Sequence, residues 1–205
     1  CSKPVTGAKT EVSDDMYAYK LRYLSSYINT DRDDEKINVG LPLGLNMYEL
    51  LPFWHAFFTE LGFNVMTSPL SDRKLYEGGQ YTIPSDTVCY PAKLIHGHIE
   101  ALIRENADVI FYPDMSYNID EKQGDDHFNC PVVAYYPQVV RWNIPDIKNV
   151  KFIYDFLSLA KPKVFERRIK EILGKYFPEK DFTAKQISLA TKAAYAEYAE
   201  YLESV

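Results

Sequence analysis

A strand, a helix and a second strand follow one another within residues 37–66, and this order constrains the chain more than any other feature. Ile37-Asn38-Val39-Gly40-Leu41 reads as a strand. After a turn through Pro42 to Gly44, Met47, Leu50, Leu51, Trp54, Phe57, Phe58 and Leu61 keep the helical period of about 3.6 residues. Asn46 and Glu49 have the spacing of a capping box, Pro52 should kink the helix or move its start, and Gly62 is placed to end it. Phe63-Asn64-Val65-Met66 is the second strand. Such a unit closes as a right-handed crossover between parallel strands.

The alternation continues. Ser71–Tyr76 is a short helix candidate, broken by Gly78-Gly79. Pro91–Asn106 is a longer one, with Pro91 in the favoured first turn and Ile95, Ile99, Leu102 and Ile103 as its core stripe. Residues 108–112, 131–135 and 150–153 read as further strands, and 162–176 and 183–203 as closing helices. Apolar strands alternating with helices predict a Rossmann-like, three-layer α/β domain with a mainly parallel sheet, its first strand central, and a C-terminal helical appendage. The expected division is an N-terminal helix and linker over 1–36, the α/β domain over 37–160 and C-terminal helices over 161–205. Within the first part, residues 1–15 are tail-like, 16–28 an amphipathic helix and 30–36 a charged linker.

A chain of 205 residues with 46% hydrophobic residues can bury a core without disulfides or metals. A net charge of −6 argues against nucleic acid as the main partner, but leaves room for a small anionic ligand. No apolar run approaches the ~20 residues that span a bilayer. The start Cys1-Ser2-Lys3-Pro4 is not a signal peptide, and without an initiator Met the chain is expected to be cut from a longer protein. Cys1, Cys89 and Cys130 lie far apart, the pattern of free thiols in a reducing, cytoplasmic setting. For each of them an inert buried thiol is the competing reading.

In open α/β sheets ligands sit beyond the carboxyl ends of the strands, beside helix N-termini. That rule selects the loops after Leu41, Met66 and Tyr112, and Cys89 before the helix from Pro91. A thiolate there is favoured by free N–H groups and the helix dipole, and can serve as nucleophile, redox group or metal ligand. Lys93, His96 and Glu100 would share its helix face, Glu100 as ordinary exposed surface. Asp114 follows the third strand and is expected at the same edge. Cys130 precedes the presumed strand 131–135, which puts it at the opposite edge and more buried than Cys89. Only a looped-back segment 115–129 would unite the two cysteines, and its Asp120, Glu121, Asp125, Asp126 and His127 read as flexible surface rather than a metal site. His96 and His98 fall on different helix faces, against a zinc pair. There is no phosphate-binding loop, no dinucleotide fingerprint, no C-x-x-C and no G-x-S-x-G, so no nucleotide site is expected in this chain.

Four stretches carry a resemblance: Gly40-Leu41-Pro42-Leu43-Gly44-Leu45-Asn46-Met47-Tyr48-Glu49-Leu50-Leu51-Pro52-Phe53-Trp54, Pro84 through Glu100, Phe111-Tyr112-Pro113, and Asn129-Cys130-Pro131-Val132-Val133-Ala134-Tyr135-Tyr136-Pro137. Together they resemble the uncharacterised domain of CoA-substrate-specific enzyme activase proteins, related to the activator of 2-hydroxyglutaryl-CoA dehydratase. The likeness implies ATPase modules elsewhere in the same full-length protein and similarity to 2-hydroxyacyl-CoA dehydratase subunits. Those subunits hold a [4Fe-4S] cluster on three cysteines, in anaerobic electron transfer driven by ATP hydrolysis. Cys89 resembles one cluster ligand. The family's cysteine after the third strand is Asp114 here, a harder and poorer ligand that weakens the expected cluster. The candidate metal residues are Cys89, Asp114 and Cys130, with the third cluster ligand unassigned between Cys1 and a partner subunit; the candidate cofactor-binding residues, from the shared helix face, are Cys89, Lys93 and His96. The implied role is an iron–sulfur or substrate-type module in electron transfer to a CoA-thioester dehydratase or reductase, with a dehydratase-type subunit as partner. Two alternatives are a non-catalytic interaction module that docks the activase to a partner through its helical tail, and a small-molecule thiol enzyme using Cys89.

Overall fold

The structure is a computed structural model, and it describes residues 15–28, 33–120, 124 and 127–205. The tail before residue 15 and part of the charged linker lie outside these. Four parallel strands form the main sheet: β1 (Asn38–Leu41), β2 (Asn64–Thr67), β3 (Val109–Phe111) and β5 (Lys151–Ile153), in the order β2-β1-β3-β5. Val39 stands level with both Val65 and Val109, and Ile110 with Phe152. Beyond the carboxyl ends a short parallel pair continues β3 and β5, with β4 (Asp114–Met115) against β6 (Phe156–Leu157). Pro113 has no N–H to give the ladder, so the pairing breaks there, while the Tyr112 amide still bonds the Ile153 carbonyl at 2.9 Å.

The crossovers assign the layers. The chain passes from β1 to β2 through α2 (Asn46–Glu49) and α3 (Leu51–Glu60), then reverses across the sheet through α4 (Arg73–Gly79) and α5 (Tyr90–Arg104) to β3. It reaches β5 through α6 (Pro131–Asn143). Reversal puts α3 on one face and α4, α5 and α6 on the other. The N-terminal α1 (Met16–Ser25) and the closing α7 (Pro162–Tyr176) and α8 (Ala184–Ser204) join the α3 side. Phe165 of α7 meets the rings of Phe53, Trp54 and Phe57 of α3, and Tyr201 of α8 meets Tyr23 of α1. One continuous hydrophobic cluster runs from Leu24 to Tyr201, so the C-terminal helices share the core of the sheet.

Several local expectations are corrected. Residues 131–135 are not a strand but the first turns of α6. A short apolar run does not by itself distinguish buried strand from buried helix, and here Pro131 occupies the first helical position, where its missing N–H costs nothing. The sheet therefore has four long-range parallel strands where five were expected. Of the two effects expected of Pro52, the structure has the moved start: α3 begins at Leu51, after Leu50 leaves helical geometry (φ −88°, ψ 9°). Asn46 does not cap: the cap position is Leu45, at φ 51°, and Asn46 Nδ2 instead contacts Met115 Sδ at 3.3 Å. Glu49 accepts bonds from Lys20 at 2.6 Å and Tyr201 at 2.8 Å, tying α1 and α8 to the end of α2.

Gly78-Gly79 do not stop α4 at Tyr76 but are its last two residues, and a 3-10 turn follows from Gln80. A side chain at Gly79 would strike the Gly97 amide nitrogen at 2.2 Å, and one at Gly97 the Leu75 carbonyl oxygen at 2.1 Å. The paired glycines let α4 and α5 cross with their backbones almost touching. Gly62 ends α3 as expected, at φ 82°. Among the described residues no helix is long and apolar enough to cross a membrane.

Candidate functional site

Cys89 and Cys130 occupy matching positions. Each is the N-cap of a long helix, Cys89 of α5 with φ −61° and ψ 150°, Cys130 of α6 with φ −60° and ψ 151°. Each has a proline in the first turn that follows, Pro91 and Pro131, and each is exposed. The Cys130 sulfur accepts from the Val133 amide at 3.5 Å. Cys130 is thus neither buried nor at the opposite edge of the sheet, as a strand over 131–135 would have required.

The crossover after β4 accounts for this. Tyr117 pairs antiparallel with Phe128, their rings 4.3 Å apart. The Asn129 amide bonds the Ser116 carbonyl at 2.9 Å, and Asn129 Nδ2 bonds the Met115 carbonyl at 2.8 Å. The segment doubles back on itself and returns Cys130 to the carboxyl edge. His127 lies 3.3 Å from Asp120 at the outer part of this excursion, and Glu121, Asp125 and Asp126 lie outside the described residues. No group of three His, Cys, Asp or Glu side chains among the described residues is gathered closely enough to hold a single metal ion.

Tyr112 and Asp114 complete the edge, both with no exposed surface. The Tyr112 hydroxyl has no hydrogen-bond partner. Burial pushes its phenol well above the ordinary range, and Tyr136, Asp114, Cys130 and Cys89 all add to the effect. All four groups therefore lie near enough to this hydroxyl to act on it electrostatically. Asp114 Oδ2 accepts from Gln138 of α6 at 2.5 Å, while Oδ1 has no partner. Burial pushes this carboxyl up to about 6, against the Gln138 bond that lowers it, with repulsion from Asp155 adding to the rise.

Behind the thiols a chain of hydrogen bonds connects α5 with α6. Thr82 donates its single hydroxyl proton to the Gly79 carbonyl at 2.8 Å. Its oxygen must then accept from His96 Nδ1, at 2.7 Å, which leaves Nε2 to accept from the Tyr136 hydroxyl at 3.1 Å. His96 is fully buried, and burial lowers it to about 4, so the ring is neutral. Tyr136 is pushed up to about 12 by burial and then by Cys89. An open apolar groove of about 420 Å³ lies alongside, between the loop Pro84–Val88 and the Pro131–Val139 face of α6.

The other candidates separate. Lys93 is directed to the loop before Cys89, donating to the Asp86 carbonyl at 2.8 Å. His96 reaches the edge only through Tyr136. Glu100, expected on an exposed face, is buried and accepts from Tyr81 at 2.6 Å. His98 is also buried, between Ser68 at 2.7 Å and Ser71 at 3.0 Å, on a different side of α5 from His96. The sequence reading did not single out Tyr112, Tyr136 or Gln138. The one signal available for the partner helix was the shared order of cysteine, N-cap and early proline at Cys89 and Cys130.

No curated protein and no solved structure matches the chain. The family model of the CoA enzyme activase uncharacterised domain matches residues 38–205, which spans every strand and the whole carboxyl edge. The chain belongs to the family of the CoA enzyme activase uncharacterised domain.

Proposed function

We propose that this domain is the iron–sulfur module of a dehydratase-activator-like protein, with the ATPase modules elsewhere in the same full-length protein and a dehydratase-type subunit as partner. Its role would be ATP-coupled electron transfer to a CoA-thioester dehydratase or reductase in an anaerobic, cytoplasmic setting. The observation that carries this reading is the pair of exposed helix N-cap thiols, Cys89 and Cys130, with matching backbone geometry, together with the buried, partnerless hydroxyl of Tyr112 near enough to feel both.

The donor set fits such a group. Two thiols are the ligand type that iron–sulfur chemistry selects, and the free N–H groups of two helix N-termini favour the negative charge of a thiolate-bound cluster. Asp114 Oδ1, buried and without a partner, is the third donor. A [4Fe-4S] cluster takes its ligands at separate irons, so its donors need not crowd round one point as for a single ion. When bound, the cluster supplies one-electron transfer. The chain's own part is positioning: Lys93 holds the Cys89 loop, and His96 orients Tyr136 beside it.

The test is anaerobic reconstitution with iron and sulfide, counting both per chain. Wild type is expected to take up both, Cys89→Ser and Cys130→Ser to lose most of the uptake, and Asp114→Cys to gain, because a thiolate binds iron–sulfur better than a carboxylate. Equal incorporation in all four proteins sinks the reading.

A further inference from the structure

Six buried side-chain atoms among the described residues have no hydrogen-bond partner, and five of them gather where the strands end. Asn46 Oδ1 follows β1, Thr67 Oγ1 closes β2, and the Tyr112 hydroxyl, Asp114 Oδ1 and Asn118 Oδ1 follow β3. A buried hydroxyl left without a partner costs about 1–3 kcal/mol, so proteins retain few of them. A fold that collects them at one edge, beside two helix N-termini, is arranged for something that supplies the missing partners there.

Tyr112 has the most determined position of these. Its amide is fixed to Ile153, Pro113 restricts the backbone after it, and its ring is fully buried in the core cluster. The hydroxyl cannot turn away to solvent. Tyr136, Asp114, Cys130 and Cys89 lie near enough to act on it electrostatically. Tyr136 cannot share its proton with Tyr112, because that proton is committed to His96 Nε2. Of the two tyrosine hydroxyls here, the one whose proton is uncommitted is that of Tyr112.

We propose that Tyr112 is a binding residue of this site, donating a hydrogen bond from its buried hydroxyl to a sulfur atom of the iron–sulfur group held on Cys89 and Cys130. The inference rests on the function proposed above and adds a residue and a role to it. A donor at the sulfur stabilises the extra negative charge of the reduced state, so its loss makes reduction harder.

The experiment compares wild type with Tyr112→Phe, which removes one oxygen and keeps the ring. After anaerobic reconstitution, iron and sulfide per chain test whether a cluster is held. The midpoint potential, followed by the spectrum of the reduced cluster, tests the hydroxyl. Equal incorporation with a lower midpoint potential in Tyr112→Phe is the expected result. Equal incorporation with an unchanged potential overturns the role of Tyr112 and leaves the cluster reading standing. No cluster in wild type overturns both. A further measurement uses the unloaded proteins: Tyr112→Phe should unfold at the same urea concentration as wild type or higher, because it deletes a group with no partner. A clear loss of stability there would show that the hydroxyl serves the fold, and would also overturn the inference.

Discussion

His96 and Tyr136 meet at 3.1 Å between Nε2 and the phenol oxygen, and the direction of that bond is fixed two residues away, by the Thr82 hydroxyl donating to the Gly79 carbonyl. Tyr136 must donate. Tyr136→Phe therefore leaves a buried imidazole nitrogen without its donor, and is expected to destabilise the fold by about 1–3 kcal/mol. Urea unfolding measures this directly. The sign is the opposite of that expected for unloaded Tyr112→Phe, although both residues are buried tyrosines a short distance apart. Equal stability of Tyr136→Phe and wild type would mean that the hydrogen-bond chain does not hold α5 to α6.

The buried histidines set a pH dependence. His98, between Ser68 and Ser71, is lowered from the ordinary 6.5 to about 4 by burial. In the unfolded chain it binds a proton near 6.5, so between about pH 6.5 and 4 the unfolded state holds more protons than the folded one. Stability is full above that window and is lost as pH falls through it, by about 3 kcal/mol at 1.36 kcal/mol per pH unit. His96 acts in the same direction over the same range. Denaturation followed from pH 7 to 4 should show this loss, with a shallower slope in His98→Asn. A wild-type slope unchanged by that substitution would assign the loss to other groups.

Gly97 and Gly174 make a contrasting pair. A methyl group at Gly97 would meet the Leu75 carbonyl oxygen at 2.1 Å, a backbone atom that cannot swing aside. Gly97→Ala should cost on the order of 3 kcal/mol by overpacking the crossing of α4 and α5. Gly174 lies exposed in α7 with nothing within 4 Å of an added Cβ. Gly174→Ala should stabilise by roughly 0.5–1 kcal/mol, the usual gain of alanine over glycine in a helix. Thermal melting of the two variants should move in opposite directions from wild type.

How much of this was legible in the sequence depended on the range of the signal. The unit from β1 through α3 to β2 was readable because its apolar period is long and its stop at Gly62 is chemical. The α4–α5 crossing was not, because Gly78-Gly79 reads locally as a break, and only the facing Gly97 makes it a contact. Val132-Val133-Ala134-Tyr135 fits a strand by composition; the helix is decided by Pro131 and by burial of Ala134, Tyr136, Pro137 and Val140 along one side. Placing Cys130 wrongly followed from that one element. The carboxyl-edge positions of Cys89 and Asp114 could be read from the strand–helix alternation. The partnerless hydroxyl of Tyr112 could not, because lacking a partner is a property of the packed edge and not of any motif.

The two thiols should react alike. Both are exposed helix N-caps with nearly the same backbone angles, so alkylation of the native chain at neutral pH should label Cys89 and Cys130 at rates within about tenfold of each other. Mass spectrometry of the labelled peptides measures each rate. Protection of Cys130 alone would argue for the strand reading and against its position at the start of α6.

The return of Cys130 to the carboxyl edge depends on Asn129. Its amide reaches Ser116 and its side chain reaches Met115, so this residue makes two of the bonds that close the excursion from β4 back to α6. The Tyr117–Phe128 ring contact lies just beyond it, half open to solvent. Asn129→Ala removes the side-chain bond, and it leaves the Met115 carbonyl without that donor beside β4. The expected cost is about 1 kcal/mol, the net worth of one such bond. The effect should be local. Hydrogen exchange should quicken at the Asn118 and Asn129 amides, which bond across the excursion, and stay unchanged at Val65 and Ile110 in the sheet, because local opening does not require the core to unfold. Uniform quickening throughout the chain would show instead that this closure is part of the global fold.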